Sequence, residues 1–109
     1  MITERRGAAR VSCNLPSSFR DLDDVNSWSS CFVTVKDISR SGMRLKTHKS
    51  IPLTATLIVA FVVPGHRNAV EARVAPTWTS EIPGQDGYET GVRFLEMDQE
   101  AKHAINAFC

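Results

Sequence analysis

The feature that most limits what this chain can fold into is a succession of short β-type segments. Each is closed by turn residues, and a helical period appears only in the last stretch of the sequence. Residues 11–19 read as a first strand, interrupted at Pro16. Residues 31–37 alternate more cleanly, with Val33 and Val35 toward one side and Phe32, Thr34 and Lys36 toward the other, and stop at the turn from Ser39 to Gly42. Residues 43–47 alternate apolar and basic side chains, which points Met43 and Leu45 inward. The run 54–63 is long, apolar and rich in β-branched residues, so it is expected to be the most buried strand, closed at Pro64-Gly65. Residues 68–79 place Val70, Ala72 and Val74 on one face and Glu71 and Arg73 on the other, and Pro76 marks a bulge or an edge. A sixth run, 88–95, follows a loop rich in proline and glycine. Six such runs argue for an all-β sheet or barrel rather than a helical bundle.

The period changes after Asp98, a residue suited to cap a helix that starts at Gln99. Ala101, Ala104, Ile105 and Phe108 then recur at helical spacing. So short a helix is marginal alone and is expected to lay its apolar stripe against the sheet. With 109 residues and no repeat or low-complexity tract, the chain reads as one domain: an arm over 1–10, a β-barrel over 11–96 and a helix over 98–108. The polar, acidic stretch 17–30 receives no role. Trp78 is expected to cap the barrel, and Trp28 falls in that acidic stretch.

Charge and cysteine usage exclude several classes. A formal net charge of +1 argues against a general binder of nucleic-acid polymers, which neutralises many phosphates with a broad basic face. The charge is uneven, however, with Arg5, Arg6 and Arg10 ahead of the acidic group Asp21, Asp23 and Asp24. Cys13, Cys31 and Cys109 are odd in number and far apart, which suits reduced thiols rather than a disulfide framework. His48, His66 and His103 have no ligand spacing, so no metal site is expected. Residues 57–64 form the longest apolar run, too short to span a bilayer, and the first residues are charged. A cytoplasmic protein without membrane insertion is expected.

Two segments carry chemistry. Arg6 and Arg10 stand four residues apart around Gly7 and two alanines, and Asp37, Ser39 and Gly42 form a polar turn ending in glycine between two strands. An arginine fork meets a phosphate or the O6/N7 edge of guanine bidentately, and a carboxylate accepts from the N–H groups on the other side of that base. The set suits an anionic, guanine-bearing ligand. There is no nucleophile elbow and no phosphate-binding glycine loop, so an enzyme is not expected.

In their order and context these elements resemble the PilZ domain family, bacterial receptors for cyclic di-GMP. Arg6 and Arg10 match its R-x-x-x-R element, and Asp37, Ser39 and Gly42 its [D/N]-x-S-x-x-G element. Met43-Arg44-Leu45 and Gly91-Val92-Arg93-Phe94 lend support, and the resemblance covers nearly the whole chain. It implies a six-stranded antiparallel β-barrel with a C-terminal α-helix, and cyclic di-GMP lying on the outer surface beneath the arginine arm. Arg6 and Arg10 would then hold phosphates and a guanine edge, Asp37 would fix a guanine, Ser39 would donate to the ligand or hold the turn, and Gly42 would let backbone approach. Arg5 adds a guanidinium at a place that the family associates with a stacked pair of ligands. Arg44 and Arg93 are secondary candidates, more simply read as solvated strand residues. The implied role is a receptor or adaptor that passes the signal to a partner protein and needs no cofactor. The alternative is a PilZ-fold interaction module that does not bind cyclic di-GMP.

Overall fold

The computed structural model describes residues 10–22 and 31–109. Arg5 and Arg6, together with Asp23, Asp24 and Trp28, lie outside them. The described chain forms six strands, β1 (Val11–Asp21), β2 (Cys31–Ile38), β3 (Gly42–Thr47), β4 (Leu57–Phe61), β5 (Val70–Glu81) and β6 (Tyr88–Met97). Helix α1 (Gln99–Phe108) follows. The strands close into an antiparallel barrel in the order β1-β2-β3-β6-β5-β4.

The period-2 pattern decides which side chains fill it. Val33, Val35, Leu45, Leu57, Val59, Phe61, Val70, Ala72 and Val74 all point inward and are buried. Met43 and Leu45 take the inward places that the alternation assigns them. α1 follows its sequence signals closely. The Asp98 carboxylate accepts from the Ala101 N–H at 2.8 Å, and Ala101, Ala104 and Ile105 are buried. The helix lies against β5 and β6.

Three strands depart from the sequence reading for a local reason. Pro16 does not interrupt β1. The ladder from β1 to β4 begins only at Ser18, so the missing proline N–H falls where β1 has a single strand neighbour. β4 starts at Leu57 rather than 54, because the Ala55 N–H closes a turn onto the Pro52 carbonyl. β5 begins at Val70 and runs on to Glu81, with its ladder shifting between Pro76 and Trp78 at the bulge that the proline foretold.

Trp78 does not cap an end of the barrel. Its indole lies across β6 over Gly91, so close that a Cβ on Gly91 would fall 2.1 Å from the Trp78 Nε1.

Candidate functional site

A one-residue slip in β2 sets up the site. The β2–β3 ladder shifts between Val35 and Asp37, so Lys36 is extra and Asp37 is brought opposite Arg44 on the outer wall while Ile38 returns to the core opposite Met43. On its other side Asp37 faces Ser12 of β1, Arg44 faces Gly91 of β6, and Gly91 faces Trp78 of β5. One transverse row, Ser12-Asp37-Arg44-Gly91-Trp78, therefore crosses five strands.

Asp37 is the most enclosed charge of the row, only 6% exposed, and both of its oxygens are engaged. Arg10, just ahead of β1, donates from Nη1 to Oδ1 at 3.3 Å. Arg44 donates from Nε to Oδ2 at 2.8 Å. Arg44 also donates from Nη1 to Glu89 Oε2 at 2.5 Å, so it bridges two carboxylates. The Asp37 hydrogen bond, with the charges of both acids, pushes the Arg44 guanidinium above its ordinary range although burial opposes it. The described cluster is two cations with two anions, formally neutral. Arg44 thus stands at the centre of the site rather than in solvent.

Ser39 and Gly42 build the corner beside this row. The Ser39 hydroxyl oxygen accepts from the Ser41 and Gly42 N–H groups at 3.2 Å each, and the Ser39 N–H donates to the Gly42 carbonyl at 2.8 Å. With Ser39 only 5% exposed, its side chain holds the turn. Gly42 owes its identity to the neighbouring strand, because a Cβ there would sit 2.1 Å from the Val92 carbonyl oxygen. The close backbone approach expected at this residue is made by β6. Arg93 pairs in register with Gly42, lies exposed on the outer wall and has no ion pair among the described residues.

The structure thus joins Arg10 to Asp37 across 27 residues of sequence, and sets Ser39, Gly42 and Arg93 at the adjoining corner. Glu89 and Trp78 were missed as site residues. Strand alternation alone puts Glu89 on the same face as Gly91, but its meeting with Arg44 depends on the β3–β6 register.

Cys13 donates its thiol to the Val35 carbonyl at 3.5 Å, and burial followed by the Asp37 charge pushes it up, keeping it protonated. The three cysteines are free thiols. Among the described residues, no group of three or more His, Cys, Asp or Glu side chains is placed to hold a metal, and no helix is long and apolar enough to cross a membrane.

Solved structures share this architecture at low identity. The inhibitor of motility MotI/DgrA of Bacillus subtilis superposes with a TM-score of 0.79 at 14% identity, over 98% of this chain and 50% of its own, so the chain spans half that protein's length. The PilZ domain of YcgR from Escherichia coli, solved with c-di-GMP, gives 0.65 at 15% identity over 94% of this chain and 87% of its own. The PilZ domain of CeSA from a cellulose-synthesizing bacterium gives 0.59 at 13% identity, covering 90% and 91%. No curated relative matches the chain. The family model described as PilZ domain matches residues 4–109, and the closed barrel with its terminal helix accords with it: the chain belongs to the PilZ domain family.

Proposed function

We propose that this domain is a cyclic di-GMP receptor that binds the nucleotide on the outer wall at Arg10, Asp37 and the Ser39–Gly42 corner and relays its presence to a partner protein. The observation that carries the reading is the pairing of Arg10 with an almost buried Asp37. Arg10 is held at 3.3 Å with its side chain 56% exposed, a contact that yields easily. A guanine that offers its N1–H and amino group to Asp37 replaces Arg10 there, and the released guanidinium turns to a phosphate oxygen. Arg5 and Arg6 would extend the same grip. Arg93 supplies a further cation beside the corner, without an ion pair among the described residues, and Trp78 presents an indole at the far end of the row. Engagement of the arginine arm by the ligand is the differential interaction through which the signal is passed.

Calorimetric and thermal titration with cyclic di-GMP tests the reading. Saturating ligand is expected to raise the melting temperature, because it binds the folded state. Arg10→Ala is expected to weaken binding roughly ten- to a hundredfold. Equal affinity of variant and parent defeats the assignment. The second reading, an interaction module indifferent to the nucleotide, is favoured by one observation, that Asp37 is already satisfied by two arginines of its own chain. An unchanged melting temperature at saturating ligand would select it.

Glu89 gives a second measurement. As the anion that neutralises Arg44, it opposes a doubly anionic ligand. Glu89→Gln is therefore expected to tighten cyclic di-GMP about five- to tenfold and to steepen the salt dependence, whereas Glu89→Asp stays near the parent. Equal tightening in both variants, or in neither, rejects a charge effect.

A further inference from the structure

Phe32 stands on the outer face of β2 with 86% of its surface exposed, the most exposed large apolar side chain among the described residues. The alternation that buries Val33 and Val35 forces it outward. Its cross-strand neighbours are small, Ser18 on β1 and then Ala60 on β4, so nothing on the wall leans over the ring. Three shallow depressions of about 360, 300 and 210 Å³ border it. One floor is apolar, with Pro16, Ala60 and Val62, while Lys46, His48 and Lys49 edge the other two, and among the described residues no carboxylate lines any of the three. Lys46 and Lys49 have no ion pair among the described residues. Along the row through Phe32 the first carboxylate is Glu71, beyond Ala60 on β5.

We infer that this face docks an acidic segment of a partner protein, whose apolar side chains pack around Phe32 while its carboxylates meet Lys46 and Lys49. An exposed aromatic ring flanked by apolar hollows is the form of an interface anchor, and unpaired cations on one side supply steering and select the sign of the partner's charge. The face is distinct from the row centred on Asp37 and Arg44. Phe32 and Asp37 are five residues apart on one strand, about 16 Å, so the docked segment and a ligand at that row can be held together.

Selection of a random peptide library displayed on phage against the purified chain tests the inference. Acid-rich sequences bearing bulky apolar residues are expected to be enriched. A synthetic peptide of their consensus is expected to bind the parent, to lose about tenfold or more in affinity to Phe32→Ala, and to weaken with Lys46→Glu and with added salt. Phe32 is a surface residue, so an unaltered melting temperature will certify the variant's fold. The inference is overturned if nothing is enriched, if the sequences carry no acidic bias, or if Phe32→Ala binds like the parent. It is equally overturned if Phe32→Ala abolishes a concentration-dependent dimer of the parent in sedimentation, or abolishes its binding to phosphatidylglycerol vesicles, since the face would then belong to a second copy or to a lipid surface. A gain in peptide affinity on Asp23→Asn with Asp24→Asn would assign the face to the chain's own acidic stretch and overturn it too.

Discussion

Replacing Gly42 with alanine is expected to destabilise the domain by about 3 kcal/mol or more, lowering its melting temperature by about 10 °C or more. The added Cβ would lie 2.1 Å from the Val92 carbonyl oxygen and 3.1 Å from the Arg93 Cα, both backbone atoms of the adjoining strand. No rotamer change relieves such a clash, so β3 and β6 must separate where they pair, Gly42 with Arg93 and Met43 with Val92. Gly65 provides the contrast. It has φ of 88° and nothing within 4 Å of an added Cβ, so Gly65→Ala bears only the backbone strain of a left-handed residue, about 1–2 kcal/mol. Thermal unfolding followed by circular dichroism orders the two. A Gly42→Ala domain that melts with the parent would show that the strands tolerate separation, and with it the explanation of this glycine would fall.

Asp37→Ala is expected to produce the largest loss of ligand, about a hundredfold or more in cyclic di-GMP affinity, because it removes the acceptor for the guanine edge. The cost to the free domain is smaller, about 1–2 kcal/mol. Arg44 keeps Glu89, and Arg10, with its side chain 56% exposed, returns to water. The two effects separate in one experiment. The melting temperature without ligand drops by several degrees, and the ligand-induced rise vanishes. A variant that still responds to the nucleotide as the parent does would remove Asp37 from the site.

How much of this could be read beforehand depends on the range of the interaction concerned. The six strands and the helix were legible because alternation, turn residues and the Asp98 cap are local signals, and each acts within a few positions of the residues it governs. Pro16 misled because its tolerance in β1 depends on where β4 begins to pair, a non-local fact. Arg44 was read as a solvated strand residue because its two acids lie seven and 45 residues away and meet it only after the β2 slip and the β3–β6 register are in place. Trp78 was legible as a large side chain near a bulge, but the glycine it covers is on another strand. Gly42 was singled out for a close backbone approach at the ligand, and the backbone that crowds it in the structure belongs to β6.

The ring of strands is incomplete between β1 and β4. β1 and β4 pair only from Ser18 to Asp21, so on the edge away from β2 residues 11–17 present a rim of amide and carbonyl groups that, among the described residues, has no strand alongside. Such a rim invites another chain to add itself as a strand. Here Pro16 removes a donor from it, the ladder irregularity between Ser12 and Leu15 bends it, and guanidinium groups precede it in the sequence. Pro16 and the bend therefore guard the barrel's weak edge against polymerisation, and straightening β1 would put that protection at risk.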